Sequence, residues 1–364
     1  MQITIVAGAR PNFMKIAPII EAIEKSKKSG KNIAYRLVHT GQHYDKNMSA
    51  DFFEQLGIPE PHINLECGGG TQAEQAAHIM MAFEKDLLAN RSDLVLVVGD
   101  VTSTMACSIV AKKLLVKVAH VEAGIRSFDL TMPEEINRMV TDILADYFFT
   151  TSERAGENLV KTGIDKDRIF FVGNTMIDTL LKQQHRFKPP PVWNNAKLQS
   201  KNYLIVTLHR PANVDQKENL EQILLQILHH TNSLPVVFPV HPRTKKMLDG
   251  LQLNGGNLIT TEPLPYLEFN YLVQNSKAVI TDSGGITEET TVMGIPCLTL
   301  RDNTERPETI EIGTNELIGT NPESIAPALT KLFNGQWKKG SIPAYWDGQT
   351  ATRITGILCQ LFNA

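Results

Sequence analysis

Short apolar runs rich in β-branched residues recur along this chain, and longer mixed stretches of helical pattern separate them. In the first half the runs are Ile3–Ala7, Ala34–His39, Leu94–Gly99, Val116–Glu122, Tyr147–Thr150 and Ile169–Val172. Their length and composition predict buried strands. The stretches Phe13–Lys27, Thr71–Leu88, Ser103–Leu114 and Pro133–Leu144 predict helices between them. A polar segment containing Pro189-Pro190-Pro191 follows, and reads as a linker from Arg186 to Asn202. Beyond it the alternation resumes, with strands at Tyr203–Leu208, Val236–Val240, Leu258–Thr261, Ala278–Thr281 and Cys297–Leu300. Helices are expected at Lys217–His229, Thr244–Leu248, Glu288–Met293 and Pro322–Phe333, and a last one at Thr350–Asn363.

Strand and helix in alternation predict parallel sheets covered by helices on both faces. The fold class is therefore α/β, with two doubly wound, Rossmann-like domains facing a central cleft. The first domain is expected to span 1–185 and the second 186–349, with 350–364 returning to pack on the first. The length of 364 residues agrees with about two domains at roughly 150 residues each. A net charge of −3 offers no broad basic surface, so no nucleic-acid partner is expected. No apolar run approaches the roughly 20 residues of a membrane span, and the chain opens on a strand rather than a signal peptide. The four cysteines, Cys67, Cys107, Cys297 and Cys359, are scattered and read as reduced thiols of a cytoplasmic protein.

In doubly wound folds, ligands gather at the carboxyl ends of the strands. Here those ends are unusually polar: Gly8-Ala9-Arg10-Pro11-Asn12 with Lys15; His39-Thr40-Gly41-Gln42-His43; Gly99-Asp100; and His120-Val121-Glu122. In the second half they are His209-Arg210, His241-Pro242-Arg243, Thr281-Asp282-Ser283-Gly284-Gly285, and Arg301 leading to Arg306. Polar groups are costly to bury unpaired, so such a succession is hard to explain by folding alone. The small residues Ser283, Gly284 and Gly285 at a strand-to-helix turn let a phosphate approach free N–H groups and the positive end of a helix. Glu289, further along that helix, is placed to accept hydrogen bonds from a sugar hydroxyl. Arg10 and Lys15 could bind phosphate at the first helix. Asp100, Glu122 and Glu134 are carboxylates from three elements that could converge, although Asp100 would also serve as a helix N-cap and Glu134 would also suit a helix dipole. His209, following a buried strand, is the histidine with a case for function. No His/Cys/Asp set has metal-site spacing, so no metal is expected. Neither G-x-G-x-x-G nor G-x-x-x-x-G-K-[ST] follows a strand, which argues against a nicotinamide cofactor and against P-loop ATP hydrolysis.

Taken in order and spacing over essentially the whole chain, these strand ends resemble the non-hydrolysing UDP-N-acetylglucosamine 2-epimerases. Pro133-Glu134-Glu135-Ile136-Asn137-Arg138 and Arg301-Asp302-Asn303-Thr304-Glu305-Arg306-Pro307-Glu308 complete the likeness. The resemblance implies two Rossmann-like domains arranged as in GT-B glycosyltransferases and a homodimer; with no nicotinamide or metal signature in the sequence, no cofactor is expected. It implies interconversion of UDP-N-acetylglucosamine and UDP-N-acetylmannosamine through elimination of UDP. Alternatives are 2-epimerisation of another UDP-sugar such as a 2,3-diacetamido uronic acid, a hydrolysing epimerase, or a GT-B transferase. By resemblance Arg10, Lys15, Ser283, Gly284, Gly285 and Arg306 hold UDP, Glu289 the ribose, and Phe269 the uracil. Asp100, Glu122, Glu134, Arg138 and His209 surround the sugar, and His241 joins the substrate-binding set. Many bacterial members continue His-Arg with Arg-Glu-Asn and use that region for a second, activating substrate. This chain has His209-Arg210-Pro211-Ala212-Asn213 instead.

Overall fold

The computed structural model describes residues 1–41, 56–240, 242–248, 250–251 and 257–364. The chain forms two compact units, one of Met1–Lys182 with Ala344–Ala364 and one of Gln183–Pro343.

The first unit holds a seven-stranded sheet: β1 Gln2–Ala7, β2 Ala34–His39, β3 Ile63–Asn64, β4 Leu94–Val98, β5 Lys117–Val121, β6 Tyr147–Thr150 and β7 Ile169–Phe171. Its order is β3-β2-β1-β4-β5-β6-β7, and neighbouring strands run parallel. The direction of winding reverses between β1 and β4. In an open α/β sheet this switch point opens a crevice at the strand ends. The core on one face joins Val6, Val38, Val95, Val97 and Phe148 with Ile79 and Phe83 of the helix Gln72–Ala89. Burying each such side chain contributes about 1.5–3 kcal/mol. The helix Thr350–Leu361 returns to this unit and packs on the helix Arg10–Lys28. Its N-terminus is capped from a distance: the Asp178 carboxylate accepts the N–H groups of Thr350 and Ala351 at 3.1 and 2.7 Å.

The second unit repeats the plan with six strands: β8 Leu204–Thr207, β9 Val236–Pro239, β10 Leu258–Thr261, β11 Ala278–Thr281, β12 Cys297–Thr299 and β13 Asn315–Leu317. The order is β10-β9-β8-β11-β12-β13, again parallel, so its switch point lies between β8 and β11. Alternation along β8 shows why both faces need helices. Leu204 and Val206 enter one core with Ile223 and Ile227, while Ile205 and the preceding Tyr203 enter another with Leu272 and Val279.

Three local expectations change. The two-residue β3 is too short to signal a strand, and β13 carries Asn315 and Glu316 where an apolar run would be needed. The helix after β11 runs Gly284–Met293, so it begins at the glycines rather than at Glu288. The proline-rich segment is no free spacer. It contains the short helix Pro191–Asn195, whose Trp193 meets Tyr203 and Tyr271 edge to face at 5.9 and 5.2 Å.

Candidate active site

In the first unit the polar strand ends are built around β1, β4 and β5. Asn12 ties two of them together. Its Oδ1 accepts the N–H groups of Gly8 and Ala9 at 3.0 and 3.1 Å, and its Nδ2 donates to the Val98 carbonyl at 3.1 Å. The chain leaving β4 turns at Gly99 with φ +65°. A Cβ there would lie 2.9 Å from Lys15 Nζ and 3.6 Å from Glu122 Oε2, so the turn needs glycine for space as well as for conformation. Lys15 and Glu122 form a buried ion pair at 2.6 Å. Glu122 itself has φ +68°, a conformation that side chains other than glycine rarely adopt and that clusters at functional sites.

Asp100 follows Gly99. Arg138 donates to its Oδ2 through Nε at 3.0 Å and Nη2 at 2.6 Å, and through Nη1 to Glu135 Oε2 at 2.7 Å. Asn137 donates to the Asp100 carbonyl at 2.9 Å. Both come from the helix Pro133–Leu144, which therefore fixes the backbone and the carboxylate of Asp100 together. Asp100 keeps a side-chain exposure of 24%, against 2% for Glu122, so it is the more exposed of the two. Glu134, in the first turn of the same helix, is exposed. Glu135 is buried and accepts the main-chain N–H groups of Ser127 and Phe128 at 2.9 and 3.1 Å.

Beneath these strand ends lies a closed polar group. His120 sets Nδ1 against Asp142 Oδ1 at 2.7 Å and Nε2 against the Gly99 carbonyl at 2.8 Å. Asp142 Oδ2 accepts Gly124 N–H at 3.1 Å and pairs with Arg126 at 2.6 Å. Burial pushes the Asp142 carboxyl up, but His120 and Arg126 outweigh it and hold the group below the usual carboxylate range.

In the second unit, β8 and β11 meet at Asp282. This fully buried carboxylate accepts main-chain N–H groups from His209 and Arg210 at 3.1 and 3.0 Å and the Asn213 amide at 3.0 Å. It also pairs with His209 Nδ1 at 2.7 Å. Ser283 then opens the helix Gly284–Met293 without capping it through its side chain. A Cβ on Gly285 would meet nothing, whereas one on Gly284 would strike Glu305 at 2.8 Å. Space is thus open at Gly285, in the first turn of a helix, where N–H groups and the helix dipole suit an anion. Arg306 is buried and donates through Nε to Glu288. Burial pushes the Glu289 carboxyl up to about 7, with Glu288 adding to the rise and Tyr266 and Asn270 offsetting part of it. Phe269 is half-buried and packs on the core that includes Tyr203 and Leu272.

Thus Lys15, Asp100, Glu122 and Arg138 come together in the first unit, and His209, Ser283, Gly284 and Gly285 in the second. Glu134 is exposed and lies one turn before Arg138 on the same helix. His241 lies outside the described residues, as do the Arg10 side chain, Gln42 and His43. Asn12, Glu135, Asn137, Asp142, Asn213 and Asp282 support the site, and the sequence signals them only by their place within a polar strand end or a helix beside one. Among the described residues, no group of three His, Cys, Asp or Glu side chains could hold a metal ion, and no helix is long and apolar enough to cross a membrane.

Residues 25–359 match the family described as UDP-N-acetylglucosamine 2-epimerase. A protein of that name from Methanocaldococcus jannaschii is 41% identical over 98% of this chain and 99% of its own length. The crystal structure of the M. jannaschii UDP-GlcNAc 2-epimerase in complex with UDP-GlcNAc and UDP superposes with a TM-score of 0.86, covering 99% of this chain and 100% of that one. A UDP-2,3-diacetamido-2,3-dideoxy-D-glucuronate 2-epimerase from Pseudomonas aeruginosa is 38% identical over 99% of this chain and 100% of its own length.

Proposed function

The chain belongs to the UDP-N-acetylglucosamine 2-epimerase family, and we propose that it interconverts UDP-N-acetylglucosamine and UDP-N-acetylmannosamine without net hydrolysis. The observation that supports the chemistry is the pair Asp100 and Glu122, carried at the neighbouring β4 and β5 ends and paired with the cations Arg138 and Lys15. The C2 proton of the sugar is not next to a carbonyl, so it must be made labile another way. Elimination does this. The C1–O bond breaks with its electron pair leaving on UDP, a carboxylate removes the C2 proton, and a C1–C2 double bond forms. Return of a proton to the opposite face of C2, with re-addition of UDP at C1, gives the epimer. Elimination and addition cancel, so no external oxidant or reductant is required.

The residues divide accordingly. Asp100 and Glu122 carry the proton on and off C2, with Glu134 as the third carboxylate of the set; such groups each contribute about 10²–10⁴-fold. The N–H groups of the helix beginning at Gly284, with Arg10 and Arg306, stabilise charge on the departing diphosphate. Glu289 takes the ribose, Phe269 lies against the uracil, and Lys15, Arg138 and His241 complete the binding set. The protein works in the cytoplasm as a homodimer. Pairing is through the exposed Ile136, Met139 and Ile143 of the helix Pro133–Leu144.

The test is incubation with UDP-N-acetylglucosamine in deuterated water, followed at C2 by proton NMR. Deuterium at C2 together with new UDP-N-acetylmannosamine is the expected result. Accumulation of free sugar and UDP would move the protein to hydrolysing chemistry. An unchanged substrate would point to a different UDP-sugar, such as that of the Pseudomonas relative.

A further inference from the structure

We propose that Asp282 is the positioning residue of His209: its carboxylate holds the imidazole with the proton on Nδ1 and leaves Nε2 as the nitrogen that meets the substrate. The inference rests on the epimerase reading for what Nε2 acts upon, whereas the tautomer itself does not depend on it.

The geometry runs in one direction. Asp282 is fully buried, while the His209 side chain is 61% exposed. An exposed imidazole samples several rotamers unless something holds it. Here Asp282 Oδ1 faces Nδ1 at 2.7 Å, and the same carboxylate accepts the His209 main-chain N–H at 3.1 Å. Ring and backbone of one residue are thereby tied to one group. That group is in turn fixed by Arg210 N–H and by Asn213, whose Nδ2 also donates to the Leu300 carbonyl at 3.2 Å. Burial pushes the Asp282 carboxyl up, but the bonds from His209, Asn213 and Arg210 N–H prevail and keep it below the usual carboxylate range. An ionised carboxylate only accepts hydrogen bonds, so Nδ1 must carry the proton. Nε2 makes no bond among the described residues. When the ring is protonated, Nε2 becomes a second donor whose positive charge is stabilised from behind by Asp282. Such a group is suited to the charge that appears on the departing diphosphate. β8 and β11 are hydrogen-bonded neighbours at the switch point, so the dyad sits beside the helix end at Ser283-Gly284 rather than elsewhere on the unit.

Two measurements test this. In ¹⁵N-labelled wild-type protein, two-bond ¹H–¹⁵N correlations report the tautomer, and His209→Gln assigns the signal by its disappearance. The expected neutral ring is protonated at Nδ1 and bare at Nε2; an Nε2–H ring, or an even mixture, overturns the proposal. In turnover assays, Asp282→Asn should lower kcat by about 10²-fold with KM changed little. In the His209→Gln background the same substitution should add less than about twofold, because both act through one group. A full further loss in that background would make Asp282 a general support of the turn and overturn the proposal. Should Asp282→Asn fail to fold, the wild-type tautomer still decides. A wild-type protein that shows the Nδ1–H ring yet leaves UDP-N-acetylglucosamine unchanged would count against the epimerase reading and for the Asp282 assignment.

Discussion

At Asp100 and Glu122 the two carboxylates differ in how they are held, and the difference sets what their variants should do. Asp100 is part-exposed and takes two bonds from Arg138, while Glu122 is buried on Lys15 at a left-handed backbone position. Asp100→Asn and Glu122→Gln keep the shape of each side chain and remove its charge. Each is expected to lower turnover by about 10²–10⁴-fold while UDP binding, read by calorimetry, is largely retained. Normal turnover in either variant would remove that residue from the proton transfer. Glu289 carries a different prediction, because its carboxyl is raised from the ordinary 4.5 to about 7 in the folded protein. Between those two pH values the folded state holds a proton that the unfolded chain has lost. Stability therefore falls as pH rises from about 4.5 to about 7, by about 3 kcal/mol at roughly 1.4 kcal/mol per unit, and no further above. Glu289→Gln has no such proton to lose. Its Tm minus that of wild type should increase across this window and level off above it, and a pH-independent difference would mean that Glu289 is ionised throughout.

Elements, rather than single residues, decide how those carboxylates are aimed. The β5 end, the turn at Gly124 and the helix Pro133–Leu144 are clamped by one side chain, Asp142, through His120, Gly124 N–H and Arg126. His120 carries the clamp across to the Gly99 carbonyl, next to Asp100. Asp142→Asn would leave a buried arginine and a doubly bonded histidine without their anion. The expected cost is about 3–5 kcal/mol in denaturant unfolding, well beyond that of Asp100→Asn, whose site is part-exposed. Equal losses would show that the clamp is not what holds the β5 end. This level also explains what the sequence could and could not reveal. The strand ends were legible because polar residues interrupt apolar runs at the same place in each repeat, as at Gly99-Asp100 and His209-Arg210. Their supports were not, because Asp142 is 22 residues from His120 and Asp282 is 73 from His209, distances across which no periodicity operates. β3 escapes for want of length and β13 for want of an apolar run, and the Pro189-Pro190-Pro191 segment packs through Trp193 rather than serving as a free spacer.

At the scale of the whole molecule, the outer face of the helix Pro133–Leu144 carries the argument for subunit pairing. Its inner face carries Glu135, Asn137, Arg138 and Asp142 and is buried on the site. Its outer face shows Ile136, Met139 and Ile143 with 49%, 40% and 73% exposure. The spacing of three and four residues puts all three on one stripe of the helix. Phe128 and Leu130, in the loop that precedes the helix, are exposed as well. Single exposed apolar side chains are ordinary, but a contiguous set marks a surface that meets another protein. A second copy of this chain can bury it symmetrically, since a two-fold interface uses the same patch on both partners. The same helix would then carry the substrate-side ion pairs on one face and the subunit contact on the other. Subunit pairing would thereby stiffen the element that holds Asp100. Ile143→Glu, at the most exposed point, is expected to shift the mass in light scattering from twice the chain mass to 40.5 kDa. It should also lower turnover in parallel with the loss of dimer, because Arg138 and Asn137 are carried by the same helix. A variant that stays dimeric would put the interface elsewhere, and a monomer with full activity would show that the helix holds Asp100 without help from its partner.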